Sequence, residues 1–467
     1  MTETLRPRVL VVGGGPGGYV AAIRAGQLGL DTVLVERNRL GGTCLVCGCI
    51  PSKALIHAAD RFTGIADAVG GNALGIALDQ PPRLDLARTV GWKDGIVDRL
   101  VGGVAMLLDR AKVRVVEGWA TFTDAKSCTV ETAEGPVAIT AEHVVLATGS
   151  EPVPLPALPF GDDVISSTEA LSLPELPRRL AVIGAGYIGL ELGTAFRKLG
   201  AAVTVIEAAD HILPRYDAAL TGPVRRWLTR AGVELHLGVR VTGRDIEGKI
   251  TVETADGKQI AIAADKILVT VGRRPLTTGW GLEEMGLDMA GPFVKVDDQC
   301  RTAMRNVWAI GDLVGEPMLA HKGFAQGAMV AEIIAGQRRH FDPASVAAIC
   351  FTEPEIVSAG LSPDEAAAAG IEVTTATFPF AANGRALTLE AGRAGEFVRI
   401  VARQDDQRIL GIQAVGRGVA ELAGEFAHAL AMGAALEDVA HTIHVHPTLG
   451  ETIGEAALIG LGHGLHF

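Results

Sequence analysis

Three of the six cysteines fall within one short segment, as Cys44, Cys47 and Cys49. Thiols this close together either bind a metal ion or act as a redox-active dithiol. A structural zinc site needs four ligands, usually supplied as two pairs, and the remaining cysteines stand alone in the sequence at Cys128, Cys300 and Cys350. The segment therefore favours a redox dithiol, and no metal site is predicted.

Two pairings within this segment are open. Cys44 and Cys47 form a CxxC motif, which can close a disulfide in an undistorted helix. In a regular helix the Cα atoms of Cys44 and Cys49 would lie about 8–9 Å apart, whereas a disulfide tolerates about 7 Å. A bridge between these two needs a distorted first turn, which Gly48 could provide. Geometry alone slightly favours the Cys44–Cys47 pair.

Histidines crowd near the end of the chain, where His441, His444 and His446 precede Pro447, and Glu451 follows. If the dithiol takes part in thiol–disulfide exchange, a base is needed that takes a proton and later returns one. The histidines could bind a metal ion or lie in the core, but their spacing fits best a dyad in which Glu451 orients His446 and stabilises its charged form. His444 is expected to support this dyad.

Two similar strand–turn–helix–strand units lie elsewhere in the chain. The first has a strand over residues 8–12, a glycine turn over 13–18, a helix over 19–28 and a strand over 32–36. The second repeats this order at 179–183, 184–189, 190–199 and 202–207. Each turn has the GxGxxG pattern between a buried strand and a helix, with an acid about 20 residues further on. The duplication predicts two dinucleotide sites.

Each glycine of such a turn has its own task. The first permits the tight turn, the second lets the backbone approach a diphosphate, and the third lets the helix pack on the strand. The predicted binding residues are Gly13, Gly15 and Gly18 with Glu36, and Gly184, Gly186 and Gly189 with Glu207. Alanines rather than arginine follow Glu207, which favours NAD over NADP. Two such sites in one chain are typical of a flavin and a nicotinamide that exchange a hydride.

The composition excludes several classes of protein. The net charge of −12 over 467 residues argues against nucleic acid as a partner, and no apolar run reaches the roughly 18 residues of a membrane span. The 58 glycines have no three-residue period and accompany 48% apolar residues, which excludes collagen and disorder. No signal or transit peptide is expected, because residues 1–8 lead directly into an apolar run. With so few cysteines, a reducing and therefore cytoplasmic location is expected.

Taken together, the motifs resemble those of the flavin-dependent pyridine nucleotide–disulfide oxidoreductases over nearly the whole chain. They are the cysteine segment 41–53, both glycine turns, and the stretches 147–149, 271–275, 309–312 and 446–451. The resemblance implies an α/β fold with two Rossmann-like domains, for FAD and NAD, and a C-terminal α+β dimerisation domain. The FAD domain would cover 1–150 and 275–346, the NAD domain 151–274 and the interface domain 347–467.

By this resemblance the redox pair is Cys44 and Cys49, with Cys44 as the thiol that reacts with substrate and Cys49 against the flavin. Both roles require lowered thiol pKa values, which the start of a helix favours. Lys53 would pair with Glu191 beside the flavin, and Tyr187 would shield the flavin until NAD arrives. The other implied cofactor-binding residues are Thr148, Gly149, Gly272, Arg273 and Asp312, the last at the ribitol.

The resemblance also implies an activity and partners. In the family the dyad that matches His446 and Glu451 serves the other subunit, which implies a homodimer. The motifs are most similar to those of members that oxidise dihydrolipoamide with NAD⁺, whose partners are the lipoyl domain and acyltransferase component of a 2-oxo acid dehydrogenase complex. The alternatives are another NAD(P)H-dependent disulfide or metal-ion reductase, or a non-catalytic flavin redox sensor. Two positions depart from the family: Gln326, where glutamate is frequent, and Cys47, which leaves open a competing disulfide or a buried apolar role.

Overall fold

The computed structural model describes residues 3–466, which form two compact units. One unit comprises the chain up to Leu155 together with Ile165–Glu175 and Val271–Asp342. The other comprises Pro156–Val164, Leu176–Thr270 and the chain from Pro343 onward. Within residues 3–466, no helix is long and apolar enough to cross a membrane. The domain boundaries expected at 150, 274 and 346 stay predictions, and the expected end points at 1 and 467 lie outside the described residues.

The first unit is built on a parallel sheet whose strands are buried because both faces are covered. The five strands lie in the order Val307–Ala309, His143–Leu146, Val9–Val12, Thr32–Glu36 and Arg114–Glu117. Side chains alternate between the faces, so Val9 and Val11 pack against helices while Leu10 and Val12 face a second sheet. The helices are Pro16–Gln27, Leu86–Arg110 and Ala320–Ile334, and the second sheet has the order Glu3–Leu5, Gly135–Thr140, Ser127–Thr132 and Trp119–Phe122.

Shorter elements complete the first unit and carry much of its chemistry. A π-helical turn, Thr43–Cys47, precedes the helix Cys49–Ala66. The strands Ser150–Pro152 and Arg273–Pro275 pair antiparallel, as do Met289–Ala290 and Phe293–Val294. The remaining helical segments are Ser167–Ala170, Glu283–Met285 and Gly311–Val314.

The second unit begins with a parallel sheet of the same kind. Its successive neighbours are Lys266–Val269, Arg179–Ile183, Ala202–Ile206 and Glu234–His236. The helices Tyr187–Leu199 and Ala218–Arg230 belong to this part, together with an antiparallel sheet formed by Val239–Arg244, Ile250–Thr254 and Gln259–Ile262. The short strand Val164–Ile165 lies where the chain passes from one unit to the other.

The C-terminal part of the second unit is an antiparallel sheet covered by helices. Its strand order is Ala348–Cys350, Glu355–Gly360, Ile409–Gly416, Phe397–Arg403 and Val373–Pro379. The helical segments are Pro363–Ala368, Phe380–Ala382, Gly384–Thr388, Val419–Leu422, Ala423–Met432, Leu436–Ala440 and Glu451–Gly460. This arrangement agrees with the C-terminal α+β domain that the resemblance implies.

Both glycine turns are where the sequence predicts them, but their helices begin earlier than expected. The first helix starts at Pro16 rather than Tyr19, and the second at Tyr187 rather than Leu190. In each turn the third glycine already lies in the first helical turn. The strand predicted over 202–207 ends one residue early, at Ile206.

A buried ion pair joins two parts of the second unit. Arg399 Nη2 lies 2.5 Å from Asp217 Oδ2, with side-chain exposures of 8% and 16%, and Arg399 Nε donates to Gln413 Oε1 at 2.9 Å. Asp217 also caps the helix Ala218–Arg230 by accepting backbone N–H groups. The pair therefore connects that helix to the C-terminal sheet.

Replacing Arg399 by leucine is expected to destabilise the protein by about 3–5 kcal/mol, because the Asp217 carboxylate stays buried without its partner. The shift of the urea unfolding midpoint measures the effect. Arg403→Leu is a matched control on the same strand, since Arg403 pairs with Asp406 at the exposed surface, and only a small loss is expected there. Equal losses in the two variants would contradict a stabilising role for the buried pair.

Candidate functional site

The cysteine segment is not one regular helix. Cys44 lies in the π-helical turn Thr43–Cys47, Gly48 breaks the helix at φ −140° and ψ −110°, and Cys49 begins the next helix. A Cβ at Gly48 would lie 2.8 Å from the Thr43 carbonyl oxygen, so only glycine permits this close return of the chain. The regular-helix distance that disfavoured a Cys44–Cys49 pair therefore does not apply.

The three thiols of the cysteine segment have different contacts. The Cys44 and Cys49 thiols are hydrogen-bonded to each other, and this contact, followed by burial, raises the pKa of Cys44, while the charge of Lys53 acts to lower it. Burial also raises the pKa of Cys47, against the effects of its hydrogen bond with Thr168 and the charge of Arg273. The geometry thus brings Cys44 and Cys49 together and directs Cys47 to a different partner.

The expectation of a lowered thiol pKa is wrong for Cys44 in this dithiol form. Two thiols that share a hydrogen bond in a partly buried place resist loss of the second proton, and this outweighs the start of the helix. The nearby ammonium of Lys53 is the group that opposes this shift. The pairing of Cys44 with Cys49 in a disulfide stays a prediction.

The first glycine turn has the geometry of a diphosphate site. Gly15 is the N-cap of the helix Pro16–Gln27, and a Cβ at Gly18 would lie 1.7 Å from the Gly13 carbonyl oxygen. Glu36 Oε2 accepts the Gly14 N–H at 2.6 Å. The acid is therefore held at the turn itself, close to where a ribose would follow the diphosphate.

The second turn repeats this geometry. Gly186 is the N-cap of Tyr187–Leu199, a Cβ at Gly189 would lie 2.2 Å from the Gly184 carbonyl oxygen, and Glu207 Oε2 accepts the Ala185 N–H at 2.6 Å. Among residues 3–466, none caps either helix with its side chain. Open N–H groups at a helix start suit the negative charge of a diphosphate, so both turns fit a dinucleotide.

Asp312 is held by a hydrogen-bond chain that sequence reasoning missed. Ser150 Oγ donates to Asp312 Oδ2 at 2.5 Å, and Arg273 donates to Ser150 through Nε at 2.9 Å and through Nη2 to the carbonyl at 2.7 Å. Gln326 Oε1 accepts the Gly311 N–H at 2.8 Å. A neutral amide suffices for that contact, which explains why glutamine can replace glutamate at this position. Ser150 follows the predicted Gly149 directly, and this adjacency was its only signal.

Thr148 and the residues around it also support this region. Thr148 Oγ1 donates to the Leu276 carbonyl at 3.0 Å, and Gly149 and Gly272 adopt φ values of 74° and 142° that favour glycine. The predicted residues Thr148, Gly149, Gly272, Arg273 and Asp312 therefore meet in one part of the first unit, although their separation in sequence reaches far beyond any local motif.

The C-terminal dyad is formed. His446 Nδ1 lies 2.8 Å from Glu451 Oε1, and Glu451 Oε2 accepts the Thr448 N–H at 2.8 Å. Burial acts to raise the pKa of Glu451, but the contacts with Thr448 and His446 outweigh it and hold the pKa below its usual range. The carboxylate is thus charged and fixes the imidazole through Nδ1, which leaves Nε2 to exchange a proton.

His444 and His441 have contacts of their own, apart from the dyad. His444 Nε2 lies 2.9 Å from Glu425 Oε1, and this contact raises the pKa of His444. His441 is exposed beside Glu437. His444 therefore has its own carboxylate partner and supports the dyad only as a neighbour, while the His446 side chain is 80% exposed. Within residues 3–466, no group of three or more His, Cys, Asp or Glu side chains is placed to hold a metal ion.

Lys53, Tyr187 and Glu191 are the remaining predicted residues. Lys53 follows Cys49 by one helical turn, on the same face. Glu191 is buried at 3% exposure and accepts the Phe351 N–H at 3.0 Å. Tyr187 lies one turn before Glu191 on its helix and is 41% exposed. The pairing of Lys53 with Glu191 and the shielding role of Tyr187 stay predictions.

Paired dinucleotide turns, a dithiol and a His–Glu dyad define a flavoprotein disulfide oxidoreductase, and the comparisons agree. Residues 7–327 match the pyridine nucleotide-disulphide oxidoreductases, and residues 346–457 match the dimerisation domain of the same proteins. The chain belongs to the pyridine nucleotide–disulphide oxidoreductase family.

Two curated relatives and one solved structure illustrate what this chain is similar to. The chain is 60% identical to a dihydrolipoyl dehydrogenase of Pseudomonas aeruginosa, covering 100% of both chains. It is 45% identical to a dihydrolipoyl dehydrogenase of Halobacterium salinarum, covering 98% of this chain and 97% of that one. The solved structure of LpdA from Mycobacterium tuberculosis is similar at 27% identity with a TM-score of 0.87, covering 98% of this chain and 99% of that one.

These findings confirm the predicted family, the α/β fold with a C-terminal dimerisation domain, and FAD and NAD as the cofactors. The dimerisation domain supports the predicted homodimer. The residues that would hold FAD are those of the first turn and the Asp312 region, and those that would hold NAD surround the second turn. Their individual roles are proposals.

Replacing Glu207 by glutamine is expected to raise the KM for NADH about 10- to 100-fold, because a charge-assisted hydrogen bond to the ribose is weakened. Steady-state kinetics with NADH and an artificial electron acceptor measure this change. Glu36→Gln is the matched control, since Glu36 has the same place in the other turn, and it should weaken FAD retention instead. An unchanged KM in Glu207→Gln would contradict the assignment of the second turn to NAD.

Proposed function

We propose that the protein oxidises dihydrolipoyl groups to lipoyl groups with NAD⁺, through a disulfide between Cys44 and Cys49. The observation that carries this proposal is the contact of these two thiols across the Gly48 break, in a chain 60% identical to a dihydrolipoyl dehydrogenase. Cys47 contacts Thr168 instead, which supports the Cys44–Cys49 pairing over the CxxC alternative.

The sulfur chemistry needs two exchange steps. A dihydrolipoyl thiolate attacks Cys44 Sγ, which forms a mixed disulfide and releases Cys49 as a thiolate. The second dihydrolipoyl thiol loses its proton to His446 Nε2 and attacks the mixed disulfide, which closes the lipoyl ring and releases Cys44 as a thiolate. Two electrons have then passed to the cysteine pair. FAD, when bound, supplies the relay of this electron pair from the dithiol to NAD⁺.

Each residue around the pair has a task in these steps. Glu451 keeps His446 in the tautomer that accepts at Nε2 and stabilises its charged form. The ammonium of Lys53 favours the thiolate of Cys44, and we assign Lys53 and Glu191 to the flavin and Tyr187 to its nicotinamide side. Asp312, oriented by Ser150, would accept hydroxyl groups of the flavin side chain.

We further propose that the active unit is a homodimer in which the His446–Glu451 dyad serves the partner subunit. The high exposure of His446 in the single chain supports this arrangement. The dihydrolipoyl group would arrive on the lipoyl domain of a 2-oxo acid dehydrogenase complex, whose acyltransferase component would bind the dimer. A reducing cytoplasm suits a disulfide that is made and broken in each turnover.

Turnover with defined substrates tests the proposal. The purified holoenzyme should form NADH from NAD⁺ with dihydrolipoamide, and at least about 10-fold more slowly from NADP⁺, since Glu207 would repel a 2′-phosphate. Glutathione disulfide with NADPH is the comparison that tests a different disulfide substrate. Faster turnover of that pair, or no reaction with dihydrolipoamide in an enzyme that NADH still reduces, would contradict the proposed substrate.

A further inference from the structure

A buried thiol and a phenol meet in the second unit, outside the redox segment. Cys350 Sγ donates a hydrogen bond to Tyr216 Oη at 3.4 Å, and Cys350 is only 1% exposed. Tyr216 and Cys350 lie far apart in sequence, and neither belongs to a motif of the proposed chemistry. Each of the two residues belongs to a segment that contacts the predicted NAD site or Glu191.

Tyr216 belongs to the loop that follows Glu207 and returns to the second glycine turn. In this loop the Leu213 N–H donates to the Ala185 carbonyl at 2.9 Å, and the Tyr216 N–H donates to the Leu213 carbonyl at 2.9 Å. Leu213 is 2% exposed and has a φ of 50°, which is strained for a leucine. The loop is therefore fixed to the turn that would bind NAD, with Tyr216 at its end.

Cys350 belongs to the segment that holds Glu191. It is the last residue of the strand Ala348–Cys350, and the next N–H, that of Phe351, donates to Glu191 Oε1. Because Phe351 follows Cys350 directly, a displacement of the backbone at Cys350 would move the N–H that contacts this buried carboxylate.

Tyr187 is related to both Glu191 and Tyr216. Tyr187 and Glu191 are neighbours on one face of the helix Tyr187–Leu199. The pKa of Tyr216 is raised by burial, by Cys350 and, to a smaller extent, by the charge of Tyr187. The Tyr216–Cys350 contact thus links the loop on the second turn to the segment that holds Glu191, which is assigned to the flavin, while Tyr187 is assigned to its nicotinamide side.

We propose that Tyr216 and Cys350 are positioning residues for hydride transfer between the nicotinamide and the flavin. Their hydrogen bond fixes the Phe351 N–H on Glu191 and keeps the loop over the second turn in place. The inference rests on the roles proposed above for Glu191 and Tyr187. It requires no change in the dithiol half of the reaction, because Tyr216 and Cys350 are assigned no part in the sulfur exchange.

Three variants of the holoenzyme test this inference by stopped-flow absorbance. In Tyr216→Phe and Cys350→Ala, flavin reduction by NADH should slow about 3- to 10-fold, as expected for loss of one hydrogen bond. Flavin reduction by dihydrolipoamide should stay within about twofold of wild type. Cys350→Ser keeps a donor for Tyr216 and should restore the NADH rate.

A spectroscopic measurement and a control complete the test. The long-wavelength thiolate–flavin absorbance band of the two-electron-reduced enzyme reports the dithiol side and should be unchanged in Tyr216→Phe, Cys350→Ala and Cys350→Ser. Cys300→Ala is the matched control, since Cys300 is equally buried in the first unit, and its rates and spectrum should equal those of wild type. Unchanged NADH reduction in Tyr216→Phe, equal slowing of both half-reactions, or failure of serine to rescue would overturn the inference.

A wrong substrate assignment would give a different result in the same half-reactions. If NADH reduced the wild-type flavin but dihydrolipoamide did not, the substrate assignment would be wrong. The effect of Tyr216→Phe on the NADH half-reaction would still decide this inference, because that measurement needs no dithiol substrate.

Discussion

Cys49→Ser is expected to lower dihydrolipoamide oxidation by more than about 10³-fold, because without a second sulfur the electron pair cannot enter a cysteine disulfide. Cys44 alone is a thiol, which a substrate thiolate cannot attack, and it cannot form an intramolecular disulfide with serine. NADH should continue to reduce the flavin in this variant, since hydride transfer between NADH and the flavin does not use the cysteines. Steady-state NADH formation measures the loss of turnover. Anaerobic reduction by dihydrolipoamide, followed by the long-wavelength thiolate–flavin absorbance band, shows whether the dithiol still accepts electrons.

Cys47→Ser is the control that the chain itself offers, because Cys47 lies in the same turn but contacts Thr168. Its turnover should stay within about threefold of wild type, as for loss of one weak hydrogen bond. If the absorbance band survived in Cys49→Ser and disappeared in Cys47→Ser, the redox pair would be Cys44 and Cys47, and the pairing proposed here would be wrong.

His446→Gln is expected to lower dihydrolipoamide oxidation by about 10²–10⁴-fold, the usual contribution of a positioned general base. Glutamine can still donate to Glu451, so the local fold should be preserved, but it cannot accept a proton. Reduction of the flavin by NADH should be unaffected. Rates of NADH formation measured across a pH series should also recover partly at high pH, where the substrate thiol ionises without a base.

His444→Gln is the matched control for this prediction, since His444 is two residues away and also pairs with a glutamate. A much smaller loss of turnover is expected there, because His444 is assigned no proton transfer. Full turnover in His446→Gln, or equal losses in the two variants, would remove the dyad from the mechanism.

The parts of the site that the sequence predicts best are those set by short-range patterns. The two glycine turns are recognisable because a close approach between backbone atoms leaves room for hydrogen alone, as at Gly18 and Gly189. The acid that ends the second strand is equally predictable, since parallel strands bring Glu36 and Glu207 back to the start of the preceding helix. The dyad needs only the turn between His446 and Glu451, which the chain closes within a few residues.

The contacts that sequence reasoning misses join distant segments. Nothing near Asp312 in the sequence points to Ser150, and nothing near Glu191 points to Phe351. Such contacts depend on which strands become neighbours in the sheet, and a local pattern does not encode that. The same reason hides the Arg399–Asp217 pair.

For the cysteines, the sequence by itself determined that a redox dithiol is present, that two dinucleotides accompany it and that a histidine base follows. It left the pairing open, because spacing measures distance along a helix only while the helix is regular. The tertiary structure decided the contact: the break at Gly48 lets Cys49 return to Cys44, while Thr168, from a separate helix, takes Cys47. Thiol identity is a property of the sequence, but the neighbour of a thiol depends on how the backbone folds around it.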